Sequence, residues 1–313
     1  MEKFQLAAKD GTIINGYCWI TEKTPTAIIQ IAHGMTEHSK RYDEFANYML
    51  KKGIAVYAND HRGHGEEAGQ KGELGFFGEE NGWDLVLSDM EVITNTISNR
   101  HPAIPIILLG HSMGSFLART YLLDHFEKIN GLIISGTGGD PGFLGKIGIQ
   151  LAKLEMQTKG KKAQSQLLTN MTFGSFNKPF KNPRTNFEWL CSDENKVDEY
   201  IHDPLCGQVC TTSFYYDMFS GINQLFKRER IGYIPTSVPI YIFSGTNDPM
   251  SKKGKVIVDL YNKYKKANVA DVKYKLYEGG RHEMLNESNR YEVFESIAKW
   301  VHEIEVNVTK ITH

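Results

Sequence analysis

The chain is short of cysteine, of net charge and of long apolar runs. Only 4 cysteines occur in 313 residues. Cys18, Cys191, Cys206 and Cys210 are unevenly spread, which argues against a disulfide-stapled scaffold and suits the reduced thiols of a cytoplasmic protein. Cys206 and Cys210, four apart, would share a helix face. No second pair or placed histidine completes a metal set, so they read as buried apolar thiols. Lys plus Arg (36) nearly cancels Asp plus Glu (37), for a net charge of -1. That leaves no basic footprint for nucleic acid. The longest apolar runs, such as residues 104–109 with Pro105 inside, fall far short of the ~20 residues of a membrane span. Met1-Glu-Lys-Phe-Gln-Leu6 also lacks the apolar core of a secretion signal. What is present is an ordinary globular balance, 41% hydrophobic and 23% charged. It suffices for one large domain with an insertion, or for two modest ones.

Strands and helices alternate along most of the sequence. The first twenty residues read as two strands joined at Asp10-Gly11, a tight-turn pair. Short, unbroken apolar runs follow at 27–33, 54–58, 104–109 and 131–135, then again at 238–243 and 272–277. Helical spacing separates them at 43–52, 83–100 and 113–125, later at 251–265, and finally at 291–304. Buried strands alternating with helices predict a mostly parallel sheet of eight strands covered on both faces. The rhythm breaks between Gly139 and Phe226, where short helical patterns replace strands. The expected organisation is therefore one α/β core in two parts, 1–138 and 227–313, with a helical cap inserted at 139–226.

Gly110-His-Ser-Met-Gly114 fits the G-x-S-x-G nucleophile elbow and lies between a buried strand and a helix, the context the motif requires. The serine must stand on a tight turn where strand and helix approach closely, so the flanking positions favour glycine. Ser112 is thus the expected nucleophile. On such a fold the acid and the histidine follow in that order. Asp248 lies on Ser244-Gly-Thr-Asn-Asp248 after a late strand, whereas Asp203 and Asp217 fall in the insertion. His282 closes Glu278-Gly-Gly-Arg-His282 after the next strand. His282 would take the Ser112 proton while Asp248 fixes its tautomer. The oxyanion needs two preorganised donors. Position assigns them to the backbone N–H of Met113, next to the nucleophile, and of Met35, in the loop after the 27–33 strand.

Several blocks together carry a family resemblance. His33-Gly-Met-Thr-Glu-His-Ser-Lys-Arg-Tyr42, Asp60-His-Arg-Gly-His-Gly65, Gly110-His-Ser-Met-Gly114, Asp203-Pro-Leu205, the Asp248 turn and Tyr277-Glu-Gly-Gly-Arg-His282 resemble the monoacylglycerol lipase and lysophospholipase group of α/β-hydrolases. The resemblance implies the α/β-hydrolase fold and hydrolysis of one acyl chain from a glycerol-type lipid or related ester, with neither metal nor organic cofactor. It also implies a cap enclosing an apolar acyl tunnel. Glu37, His38, Arg41 and Tyr42 match the family's supporting loop, His33, Gly34 and His111 flank the reacting groups, and Asp60, Arg62 and His64 match a structural loop beside the site. A metal at His61 and His64 lacks a third ligand. Two departures stand out from the animal enzymes: Met35-Thr36 replaces a small pair, which would narrow the alcohol side, and Ser115 replaces a further glycine.

The fold hosts many chemistries, so alternatives stay open. One is a broad carboxylesterase or an amide-cleaving peptidase, though a peptidase would want a carboxylate pair for a substrate amine, and none can be placed. Another is a non-catalytic binding protein on the same scaffold. The expected partner is a small ester or lipid. The stretch 147–157, with Lys146, Lys153, Lys159, Lys161 and Lys162 nearby, is either a surface helix touching membranes transiently or a cap helix with its apolar side over the site. Nothing in the sequence sets the oligomeric state.

Overall fold

The computed structural model describes residues 1–230 and 232–311, with side chains of the closing helix described to residue 305. Among the described residues the sheet has eight strands in the order β1-β2-β4-β3-β5-β6-β7-β8. Strands β1 (Glu2–Ala7) and β2 (Ile13–Trp19) form an antiparallel edge hairpin, with Phe4 opposite Gly16. The turn between them closes through the Gly11 N–H on the Ala8 carbonyl (3.0 Å). From β4 (Ile54–Asn59) onward every pairing is parallel, through β3 (Ala27–Ala32), β5 (Ile106–His111), β6 (Gly131–Ser135), β7 (Ile240–Gly245) and β8 (Val272–Tyr277). The five inner strands β3 to β7 are buried at every residue, which explains their unbroken apolar sequences.

Helices cover both faces. On one side α3 (Gly82–Arg100), α4 (Met113–His125) and α9 (Lys255–Lys266) join a core that includes Leu108, Leu117 and Ile242. On the other, α1 (Asp43–Lys51) and α10 (Arg290–Ile311) pack Phe45 and Phe294 over Leu109 and Phe243. The chain builds outward from β3, with β4 on one flank and β5 on the other. The loops after β3 and β5 therefore face each other across a crevice at the carboxyl ends of the strands, where open α/β sheets take ligands.

Two shifted helix or strand starts and one added helix stand out against the sequence reading, each for a local reason. β5 begins at Ile106, because Pro105 has no N–H for the ladder and contributes only its carbonyl, to Ile28 N–H (2.9 Å). α9 begins at Lys255, because Lys252, Lys253 and Gly254 have φ of 51°, 57° and 82°, a left-handed run that no α-helix contains. The loop after β4 holds an unforeseen helix, α2 (Gly65–Lys71), which buries only Gly65 and Ala68 and so shows no apolar period.

Between β6 and β7 lie α5 (Gly142–Lys159), α6 (Gln166–Phe173), α7 (Glu194–His202) and α8 (Thr212–Arg230). α8 runs on to Arg230, so the expected boundary at 226 falls inside its final turn. This insertion carries its own small core of Trp189, Leu190, Cys191, Val197 and Tyr200. Cys206 and Cys210 lie on the loop between α7 and α8 rather than on one helix face, and all four cysteines are free.

Candidate active site

Ser112 sits between β5 and α4 with φ 53° and ψ -120°, a backbone state that non-glycine residues rarely adopt. The surroundings fix it: its N–H donates to the Ser135 carbonyl (3.0 Å), while its carbonyl accepts from Ser115 N–H (2.9 Å) and Ser115 Oγ (2.5 Å). Ser115 Oγ also meets Thr137 Oγ1 (2.9 Å), so the serine that departs from the animal enzymes' glycine ties the elbow to the loop after β6. The glycine two residues on is needed for space. A Cβ on Gly114 would lie 2.0 Å from the Ala32 carbonyl oxygen. Helix α4 thus presses directly on the end of β3, its first N–H groups unpartnered by the helix.

Asp248 and His282 come from the ends of β7 and β8. His282 Nδ1 pairs with Asp248 Oδ1 at 3.1 Å, and both residues are fully buried. Asp248 Oδ2 accepts from Ser244 Oγ (2.7 Å) and Oδ1 from the Met250 N–H (2.9 Å). Burial alone would raise the Asp248 carboxyl, but the adjacent His282 and these donors hold it below its ordinary range. Burial pulls the His282 imidazole down, and the Asp248 charge more than offsets this, leaving it above 6.5. His282 Nε2 is buried and has no hydrogen-bond partner among the described residues. With Nδ1–H committed to Asp248, Nε2 is the basic nitrogen. Ser112 Oγ lies 3.8 Å from Met250 Sδ, and Ser112 and His282 line one cavity.

The loop after β3 lies against the nucleophile, since a Cβ on Gly34 would come within 3.2 Å of Ser112 Cβ. The N–H groups on either side of Met35 are engaged. Gly34 N–H donates to Glu37 Oε1 (2.5 Å) and Thr36 N–H to His64 Nε2 (3.2 Å). Met35 N–H has no acceptor among the described residues. The histidines beneath fix this turn by their tautomers. His33 Nε2 accepts from His61 N–H (2.9 Å), so its Nδ1–H donates to the Gly34 carbonyl (2.8 Å). His64 Nδ1–H donates to the Arg62 carbonyl (2.9 Å), leaving Nε2 as acceptor for Thr36. Burial drives His33 well below its ordinary value and lowers His61 to about 3 and His64 to about 4. All three stay neutral.

The remaining expected residues form a buried charged knot. Arg41 makes a bidentate contact with Glu283 (2.7 and 2.8 Å) and a single one with Glu37 (2.9 Å), while Tyr42 donates to Glu37 (3.0 Å). Burial raises carboxyls, yet the Arg41 fork brings Glu283 down to about 2. His111 packs its ring 4.8 Å from that of His282. Burial, and then the His282 charge, lower it to about 3, so it remains neutral. His38 turns away to pair with Asp203 (2.8 Å), the insertion residue weighed as an alternative acid. Their nitrogen and oxygen lie with Cys206 Sγ inside 4.8 Å of one another, a geometry a metal could use. Burial pushes the Cys206 thiol up, however, and a protonated thiol is a poor ligand.

Sequence reasoning missed four contributors. Met250 touches Ser112 and anchors Asp248, while Glu283 holds Arg41 from the position after the histidine. Trp189, from the insertion, packs its ring 5.1 Å from that of His282 and accepts the His282 N–H on its carbonyl (3.3 Å). Gln208 lines the cavity beside Ser112. Only Glu283 had a signal, as an acidic residue adjoining the candidate base.

Two cavities meet at Ser112, Met35 and Phe173. One, of about 800 Å³, is apolar and includes Phe116, Leu144, Met171, Phe176 and Phe219. The other, of about 400 Å³, is more polar than the first and lies between α6 and the 186–209 stretch of the insertion. No helix among the described residues is long and apolar enough to cross a membrane.

Residues 23–289 match the family described as serine aminopeptidase, S33, a hydrolase family. The chain belongs to this family. Its α/β-hydrolase relatives include the human monoglyceride lipase, 26% identical over 95% of this chain and 89% of that one. The monkeypox virus monoglyceride lipase homolog is 27% identical over 91% and 93%. Among solved structures, a thermostable carboxyl esterase from Bacillus coagulans, crystallised with glycerol, superposes with a TM-score of 0.89 at 25% identity, covering 97% of this chain and 98% of that one. A monoacylglycerol lipase from Paleococcus ferrophilus shares the fold at 20% identity and a TM-score of 0.68, covering 97% of this chain and all of that one (100%).

Proposed function

We propose that this carboxylic ester hydrolase cleaves single-acyl-chain lipids of the monoacylglycerol type through an acyl-enzyme on Ser112. The observation that carries the reading is the meeting of Ser112, the Asp248–His282 pair and an 800 Å³ apolar cavity at one crevice. In the first step Ser112 Oγ rotates from Met250 to His282 Nε2, gives up its proton and attacks the ester carbonyl. The carbonyl oxygen becomes an oxyanion between the N–H groups of Met35 and Met113. Collapse releases the alcohol, which takes the proton from His282, and leaves the acyl group on Ser112. Water, deprotonated by His282, then releases the fatty acid and restores the serine. The acyl chain occupies the apolar cavity, and its exposed rim on α5 and α6 supports transient contact with a lipid surface.

The family description raises an aminopeptidase reading. Two carboxylates, Glu37 and Glu283, do line the polar cavity, but both are engaged by Arg41, so neither is free to bind a substrate amine. A fluorophosphonate probe tests the proposal. Wild-type protein should be labelled and Ser112→Ala should not; no labelling, or equal labelling of both, overturns it.

A further inference from the structure

The oxyanion donor beside the nucleophile shares a peptide with a carbonyl that is gripped from behind. Ser112 C=O and Met113 N–H are the two poles of one trans peptide and point in opposite directions. Whatever holds the carbonyl therefore aims the N–H. Met113 is the first residue of α4, so its N–H has no acceptor within the helix. The Ser112 carbonyl accepts from Ser115 N–H (2.9 Å) and from Ser115 Oγ (2.5 Å). The first bond is ordinary for the start of a helix. The second exists only because residue 115 carries a hydroxyl.

That hydroxyl ends a buried chain of polar groups. Ser115 Oγ meets Thr137 Oγ1 (2.9 Å), and Thr137 Oγ1 accepts from Arg119 Nη1 (3.1 Å). Ser115 and Thr137 are wholly buried and Arg119 is 1% exposed, which shuts water out. Two oxygens 2.5 Å apart need a proton between them, so the Ser115 proton lies on the Ser112 carbonyl. A guanidinium only donates, which leaves Thr137 its own proton to give to Ser115. The bonds thus run one way, from Arg119 to the peptide that ends in Met113 N–H. Aligned bonds of this kind strengthen one another. Arg119 is itself pinned, since Nε and Nη2 fork onto Glu229 (3.1 and 2.8 Å) in the last turn of α8. Lys263 (2.7 Å) and Tyr264 (3.2 Å) hold Glu229 from α9.

We infer that Ser115 is a positioning residue of the ester-cleaving reaction, aiming the Met113 N–H at the oxyanion through the Ser112–Met113 peptide, with Thr137 and Arg119 fixing its hydroxyl. Without Ser115 Oγ only the Ser115 N–H grips the carbonyl, and the peptide is free to tilt. Oxyanion donors work by being preorganised, so a small tilt weakens the transition state and leaves substrate binding alone. The inference rests on the Ser112 reading above, because the Met113 N–H has an oxyanion to meet only if Ser112 attacks.

The test uses three compounds: p-nitrophenyl butyrate, an alkyl trifluoromethyl ketone and the matching trifluoromethyl alcohol. Ser112 Oγ adds to the ketone to give a hemiketal oxyanion, whereas the alcohol cannot form one. Ser115→Ala should lower kcat/KM about five- to twentyfold, part of the 100-fold or more that follows loss of a whole donor. Ki for the ketone should rise by the same factor, and Ki for the alcohol should stay within twofold. Thr137→Val keeps the side-chain shape and should cost about threefold on the same two readouts, since one bond passes only part of its strength to the next. Thr137→Ser should stay within twofold of wild type. Because Thr137 acts through Ser115, the double variant Ser115→Ala with Thr137→Val should lose no more than Ser115→Ala alone. Urea midpoints report folding; if Ser115→Ala does not fold, the two Thr137 variants carry the test. Folded variants with kcat/KM unchanged overturn the inference. So do equal losses in ketone and alcohol binding, or losses that multiply in the double variant. Wild type that neither cleaves the ester nor binds the ketone would instead sink the Ser112 reading.

Discussion

The two halves of the insertion behave as different materials. Helices α5 and α6 expose Phe143 (76%), Leu144 (74%), Leu154 (55%) and Leu167 (53%). The stretch from Trp189 to Cys210 is instead locked to the strand ends. Trp189 and Leu190 carbonyls accept from the N–H groups of His282 and Glu283 (3.3 and 2.7 Å), Arg281 donates to the Cys191 carbonyl (2.9 Å), and Gly207 N–H donates to the Thr36 carbonyl (3.0 Å). One half leaves apolar area in water, at a cost that contact with lipid or acyl chain would relieve. The other half is structurally part of the catalytic loops. An insertion can therefore carry both the adjustable mouth of a site and the fixed wall that holds its base.

The sharpest way to break the comparison is to strike the fixed region at its centre. Asp248→Asn keeps the shape but removes the charge that orients His282, and kcat should fall by about 10⁴. A loss under tenfold in a steady-state ester assay would mean the Asp248–His282 pair is not the working one. Next comes the charged knot. Arg41→Met strands Glu37 and Glu283 in the interior and should cost about 3–5 kcal/mol of stability, as read by urea titration. Phe143→Ser, on the exposed half, should stay within about 0.5 kcal/mol. If the two variants unfolded at the same urea concentration, the charged region at the strand ends and the exposed half of the insertion would not differ as described.

Legibility in the sequence followed the same division. The strands, the elbow at Ser112 and the loops bearing Asp248 and His282 were readable because buried parallel strands must be continuously apolar and the serine turn needs glycine. The insertion was readable only as a break in rhythm. Helix α2 was hidden because it buries so little, and the start of α9 because three left-handed residues precede it. Trp189 acts through tertiary contacts with no fixed spacing from the triad, and Met250, two residues past Asp248, is an ordinary apolar side chain, so no motif announces either. His38 was read as support for the triad but joins Asp203 across the insertion, a pairing set by the path of the 203–211 loop.

A smaller effect concerns protons. His282 must be neutral to act as base, and its folded value lies above 6.5. Activity should thus fall as pH drops through that raised value, placing the acid limb of kcat/KM on the alkaline side of 6.5. His111, lowered to about 3, cannot produce that limb. The stability sign is opposite. Protonated His282 is favoured by the fold, so its stabilising contribution is fully present below 6.5 and lost as pH rises through the folded value. In Asp248→Asn burial remains without the anion, and the limb of the residual activity should move below 6.5. A wild-type limb already below 6.5, measured with a p-nitrophenyl ester, would show that Asp248 does not outweigh burial.

The mildest expected effect belongs to the exposed half. Phe143 and Leu144 stand mostly in water at the rim of the apolar cavity, where Leu144 is also part of the lining. Fully burying such a side chain stabilises by about 1.5–3 kcal/mol. Shallow insertion into a lipid surface recovers a fraction of that, about 1 kcal/mol, which corresponds to roughly fivefold in partitioning. Phe143→Ser with Leu144→Ser should therefore weaken cosedimentation with phosphatidylcholine vesicles by about that factor or somewhat more. Hydrolysis of a water-soluble short-chain ester should be unchanged, because neither side chain touches the triad. Equal losses on soluble and vesicle-borne substrates would instead make the rim part of the acyl site alone, and the contrast between a lipid-facing half and a locked half would collapse into one continuous pocket wall.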